Sequence, residues 1–249
     1  MLSALGNKCN SLRADSVILS AEPDEVLFDT AGSALIVVDM QNDFLHPEGW
    51  FPSTGRTAPA AAAIIPSINA IASAARNVNV PVIWVNWGVR ADAQDIPPEL
   101  MRKASANGTR AAYGDPSPSG RGQILVRGDW GSEIAAGLDT KPGDLIVYKH
   151  RYTGFYETEL GGILRARQIQ NLLFTGINTD RCVYATLIDA CNRGYRCILV
   201  EDACATLSTP QVQTSILFLV RLLYGYTWHS NNVLTALHQA KLVMDRKSL

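Results

Sequence analysis

NLLFTGINTDRCVYATLIDACNRGYRCILV (171–200) reads as a strand, a helix and a second strand in one unbroken stretch. Residues 171–175 form an apolar run without alternation, the pattern of a strand covered on both faces of a parallel sheet. Thr179 or Asp180 then stands where a helix N-cap belongs. Val183, Leu187, Ile188 and Cys191 fall on one inward face, and Gly194 sits at the C-terminal stop. A second apolar run follows at 196–200. Strand, helix and parallel strand join as a right-handed crossover that lays the helix on the sheet.

The same alternation extends in both directions. Apolar runs at 34–38, 80–86 and 144–148 are three further strands, and 224–228 is a sixth. Between them, Ile64, Ile68, Ile71, Ala72 and Ala75 share one helical face, with Pro81 marking the next strand as new structure. Residues 158–167, 211–223 and 231–242 are further helices, the last capped by Ser230. This order predicts a three-layer α/β domain with a six-stranded, mainly parallel sheet, preceded by an N-terminal extension over 1–30 and spanning 31–249 without a second domain. Residues 90–131 are rich in Gly, Pro, Ser and Asp with little periodicity, and so long an excursion is usually functional.

Composition narrows the function. With 249 residues, 22 Lys+Arg and 23 Asp+Glu, the formal charge is −1. Nucleic acid and membrane surfaces need a concentrated cationic face, so neither is an expected partner. No apolar stretch approaches the roughly 20 residues of a membrane span. Five cysteines (Cys9, Cys182, Cys191, Cys197 and Cys204) in an odd count without Cys-x-x-Cys spacing predict a reduced, cytoplasmic protein. Residues 1–16 read as a loose tail, with an organellar transit segment as the alternative.

In an open α/β sheet, ligands bind beyond the carboxyl ends of the strands. Asp39 directly follows ALIVV, Lys149 directly follows DLIVY, and Cys182 lies in the first turn of the helix after NLLFTG. Singly, each has an ordinary use as turn former, solvated cation or small core filler. Together they supply a thiol nucleophile, a helix N-terminus and ammonium to favour its thiolate, and a carboxylate to carry its proton.

ALIVVDMQNDF (34–44), the lysine of IVYKHRYTGFYETEL (146–160) and LLFTGINTDRCVYATLIDA (172–190) resemble, in order and spacing, the three signature segments of the isochorismatase-like cysteine hydrolases. The resemblance runs from about residue 34 to residue 228. It implies an Asp39–Lys149–Cys182 triad, a Rossmann-like six-stranded sheet, a non-proline cis peptide at Ile177–Asn178 and oxyanion donors from the backbone near Asn178 and Cys182. It also implies a homo-oligomer. Cys182 points to C–N bond hydrolysis, because the family's ether hydrolases lack that nucleophile. The metal motif of the nicotinamidase branch needs a downstream His pair, but none of the four histidines (His46, His150, His229 and His238) lies between Pro47 and Lys149. No metal and no cofactor are therefore expected.

RYTGFYETELGGILRARQI (151–169) resembles ureidoacrylate amidohydrolases, and GDPSPSGRG (114–122) with ILVRG (124–128) is similar to biuret-hydrolase-like enzymes. Together these imply a small ureido or carbamoyl substrate. Beside the strand ends, Gln41, Asn86, Trp87, Tyr152, Phe155 and Asn178 are the expected substrate contacts, with Arg90 and Arg151 as candidates for a carboxylate. His46 and His150 also flank strand ends, where a structural role competes with pocket lining. The loop after EDACAT departs from the family, reading LSTPQ over 207–211. Two alternatives stand beside this reading: hydrolysis of an unrelated amide or cyclic imide, and a catalytically silent interaction or redox-sensing module that uses Cys182 as its thiol.

Overall fold

The computed structural model describes residues 16–19, 21–56, 59–105 and 111–247. Among the described residues six strands form one parallel sheet, and two more form a hairpin. In chain order the hairpin is β1 (Ser16–Leu19) and β2 (Val26–Asp29). The sheet comprises β3 (Ser33–Val38), β4 (Val82–Trp87), β5 (Leu145–Lys149), β6 (Asn171–Ile177), β7 (Arg196–Ala205) and β8 (Tyr226–Trp228). Its order is β5-β4-β3-β6-β7-β8 and every neighbouring pair is parallel. The chain builds outward from β3 to one side, then returns to add β6 on the other. The carboxyl ends of β3, β4 and β6 thus meet at the point where the strand order reverses, where α/β sheets open a crevice.

Both layers of cover follow from the apolar runs. All residues of β3, β4 and β6 are buried. The helix Ile65–Arg76 buries Ile68, Ile71, Ala72 and Ala75, and each isoleucine contributes about 1.5–3 kcal/mol relative to an exposed one. Arg76 fastens this helix to the start of β5 through a bidentate pair with Asp144, at 2.9 and 2.7 Å, and the Trp84 indole donates to the same carboxylate. β5 begins one residue later, so this clamp also sets where Lys149 ends that strand.

The structure corrects several details. The helix after β6 opens with one wide π-type turn (Thr179–Val183) before Tyr184–Asn192, and its N-cap position is Asn178 without a side-chain cap. Asp180 instead accepts from the hydroxyls of Thr206 and Ser208. Val183 and Leu187 are buried, but Ile188 and Cys191 are only half-buried, because the wide turn rotates the face that meets the sheet. The last helix (Ser230–Lys247) is capped by Asp202, which accepts from the Ser230 N–H and hydroxyl. Inside the long 90–131 excursion lies a helix, Pro98–Ala104.

Residues 16–19 and 26–29, within the stretch expected as an extension, pair as the hairpin strands, and Phe28 packs at 5.7 Å from Trp228. Of the expected tail over 1–16, residues 1–15, with Cys9, lie outside the described residues, and Ser16 already opens β1. No helix among the described residues is long and apolar enough to cross a membrane.

Candidate active site

Three strand ends deliver the central side chains. Asp39 leaves β3 with a positive φ of 51° and donates its N–H to Val85 O at 3.0 Å, which turns its carboxylate into the crevice. Lys149 ends β5, two strands away, about 9–10 Å at normal strand spacing. Its side chain crosses the end of β4 and sets Nζ 4.1 Å from the centroid of the Trp87 ring and 2.8 Å from Asp39 Oδ2. Nζ also lies 3.3 Å from Arg151 O.

β6 brings the third group. At Gly176 a Cβ would stand 2.2 Å from Val38 O, so only glycine permits this approach to β3. Its φ of 106° and the register shift against β7 turn the chain toward the site. The Ile177–Asn178 peptide is cis. Asn178 Oδ1 accepts from Leu207 N at 3.0 Å, and the wide turn then places the Cys182 sulfur beside the Asp39 carboxylate. The 207–211 loop therefore braces the nucleophile turn and does not line the cavity.

Asp39 and Lys149 are 2% and 0% exposed and Cys182 is 7% exposed. Both the charge of the ammonium and its contact with the carboxylate favour the ionised Asp39, the charge more than the contact. Burial raises the Asp39 carboxyl above its ordinary range, against the pull of Lys149. Burial first, and then the charge of Asp39, push the Cys182 thiol up, while Lys149 draws it down. This corrects the expectation of a favoured thiolate. Desolvation and the adjacent anion outweigh the lysine, so the resting proton stays on sulfur.

Asp39 and Cys182 line a cavity of about 210 Å³ whose aromatic wall is Phe44, Trp50, Phe51, Trp87, Tyr113 and Tyr152, while the fully buried Lys149 touches it only through Asp39. Trp87 stacks on Tyr113, with centroids 4.9 Å apart and planes at 13°, and meets Tyr152 edge-on. Ala104, Asn178, Arg56 and Arg181 complete the lining. Of the expected substrate contacts, Trp87, Tyr152 and Asn178 reach this cavity. Gln41, Asn86 and Phe155 do not.

Gln41 is consumed as a clamp: Nε2 donates to Trp87 O and Ser132 O, both at 2.7 Å, and Oε1 accepts from Trp87 N at 2.8 Å. Phe155 stacks on Tyr195 and carries the Arg193 guanidinium on its other contact. Asn86 is buried in the sheet, with Oδ1 unpaired among the described residues. Arg90 pairs with Asp92, and Arg151 donates to the carbonyls of Asp95 and His150. His46 packs edge-on against Trp130, and His150 meets Glu157 at 3.0 Å, so both are structural.

Sequence reading missed Tyr113, Arg56 and Arg181. Tyr113 and Arg56 lie on aperiodic excursions, while Arg181 was overshadowed by its neighbour Cys182. No cluster of three His, Cys, Asp or Glu suited to a metal exists among the described residues.

The chain is similar to known proteins over most of its length. The ureidoacrylate amidohydrolase RutB of Yersinia enterocolitica is 34% identical over 215 residues, covering 84% of this chain and 91% of that protein. A cysteine hydrolase from Pseudomonas syringae pv. phaseolicola superposes with a TM-score of 0.72 at 28% identity, covering 86% of this chain and 95% of the other. N-carbamoylsarcosine amidase from Thermoplasma acidophilum superposes with a TM-score of 0.62 at 30% identity, covering 80% and 96%. Residues 33–228 match the Isochorismatase domain, and the chain belongs to the isochorismatase family.

Proposed function

We propose that the protein hydrolyses a carbon–nitrogen bond in a small ureido or carbamoyl compound through a covalent intermediate on Cys182. The reaction class, hydrolysis of carbon–nitrogen bonds other than peptide bonds, is the one its amidohydrolase relatives carry in their names. The observation that supports the triad best is the buried Asp39–Lys149 pair at 2.8 Å, with Asp39 beside Cys182 and these two lining one small cavity.

In this reading the thiol proton passes to Asp39 as Sγ attacks the carbonyl carbon, which explains how a thiol held above its usual range reacts at all. Backbone N–H groups at Asn178 and Cys182 receive the oxyanion. The intermediate collapses, the C–N bond breaks, and the leaving nitrogen takes the proton from Asp39. Water then attacks the acyl-sulfur bond with Asp39 again as base, releasing the acid or carbamate and restoring the thiol. Lys149 holds Asp39 in place throughout and favours its ionised form at the two steps where Asp39 acts as base.

The test is ammonia release from a panel of ureido acids, carboxamides and biuret, compared between wild type and Cys182→Ala. Release from at least one ureido or carbamoyl compound by wild type only is expected. Equal release by Cys182→Ala, or release from carboxamides alone, would overturn the reading.

A further inference from the structure

The charges around the cavity do not balance. Asp39 and Lys149 neutralise each other at 2.8 Å. The remaining charged groups in the lining are two guanidinium groups, Arg56 and Arg181. Arg56 has no carboxylate within ion-pair distance among the described residues and rests 5.6 Å from the Phe51 ring centroid. Among the described residues Arg181 has only Asp180, at 3.8 Å from its Nε, and that carboxylate already accepts from the hydroxyls of Thr206 and Ser208. Burial and the charge of Arg181 both depress Arg56, so the two cations feel each other across the cavity. A neutral occupant leaves that repulsion in place, whereas an anion between them removes it.

We infer that Arg56 and Arg181 together bind a carboxylate of the substrate, so that the protein takes ureido or carbamoyl acids and discriminates against their neutral counterparts. This rests on the proposed hydrolysis at Cys182. A guanidinium presents a planar fork of donors that matches a carboxylate edge, which an ammonium does not. With the acid group held there, the carbamoyl carbon is free to lie along the wall of Trp87, Tyr113 and Tyr152 toward Cys182 and Asp39. The two arginines replace Arg90 and Arg151 as the specificity-determining cations, since those two are tied up outside the cavity.

The experiment separates binding from turnover. In a Cys182→Ala background, calorimetry measures the affinity of 3-ureidopropionate and of its uncharged primary amide. The acid is expected to bind at least tenfold tighter. Arg56→Met and Arg181→Met, added singly, should each weaken the acid roughly 10–100-fold and leave the amide within about twofold, which also reports that the cavity is intact. Arg56→Lys and Arg181→Lys should recover part of the loss. Equal affinity for acid and amide, no measurable binding of the acid, or unchanged acid affinity in either Met variant overturns the inference. Tight acid binding in Cys182→Ala, with no ammonia from any ureido compound in wild type, would instead overturn the hydrolysis and leave the arginine pair standing.

Discussion

Lys149 Nζ lies 2.8 Å from Asp39 Oδ2 although the two residues come from strands that are not neighbours in the sheet. Both side chains are sealed from solvent. A buried ion pair is costly to desolvate, and removing one partner typically costs about 3–5 kcal/mol. Reach across β4 is therefore no accident of packing. Trp87 supplies the ring face along which the ammonium travels, and Gln41 locks the Trp87 backbone on both its N–H and its carbonyl.

Replacing Cys182 with Ala should abolish ammonia release while the melting temperature changes little, because the sulfur contributes to the chemistry more than to packing. Iodoacetamide labelling followed by peptide mass spectrometry should find Cys182 protected by a bound ureido acid. The other described cysteines line no part of this cavity, so their labelling should not respond to that ligand. Substrate protection of Cys191 in place of Cys182 would remove the nucleophile from the account.

Gln41→Ala deletes three buried hydrogen bonds and leaves the Trp87 and Ser132 backbone groups without partners. At about 1 kcal/mol for each such bond, a loss of about 3 kcal/mol in stability is expected by urea denaturation. Turnover should fall as well, through displacement of Trp87 and thus of Lys149. A variant as stable as wild type would show that the clamp is dispensable.

Gln41 also shows where sequence reading stops. Its position just beyond β3 is where ligand contacts gather, but whether its amide faces substrate or backbone depends on the Ser132 carbonyl, far away in sequence. The six strands were legible because continuous apolar runs have few other uses, Asp39 and Lys149 because each follows such a run directly, and Cys182 because it opens the helix that comes after one. The β1–β2 hairpin escaped notice since VLFD is too short to show a period. Tyr113 and Arg56 sit on excursions without periodicity, and only the folding of those loops over the strand ends reveals them.

Prolonged dialysis against a chelator should leave ammonia release unchanged, and elemental analysis of the purified protein should find no stoichiometric zinc. The ground is the donor set: no three suitable ligands converge among the described residues, and His46 and His150 are committed to Trp130 and Glu157. Loss of activity on chelation that zinc restores would place a metal at the site.

The charges flanking Cys182 act on its thiol in opposite senses, so the two triad partners can be told apart by one measurement. The negative charge of Asp39 raises the thiol and the positive charge of Lys149 lowers it. Asp39→Asn should therefore bring the thiol down and Lys149→Met should send it further up. Below its pKa, the thiolate fraction changes tenfold for each unit, so alkylation by iodoacetamide at one fixed alkaline pH should be faster than wild type in Asp39→Asn and slower in Lys149→Met. Turnover should fall in both, by roughly 10²–10⁴ in Asp39→Asn, where the proton carrier is lost. In Lys149→Met the residual activity should show its acid limb at higher pH than wild type. Asp39, already raised by burial, then loses the cation that favours its ionised form, and as pH falls it is protonated sooner. Alkylation rates that move the same way in both variants would mean that the thiol does not feel these two charges separately. Lys149→Met with wild-type alkylation and wild-type turnover would reduce Lys149 to a buried strut and end the triad reading.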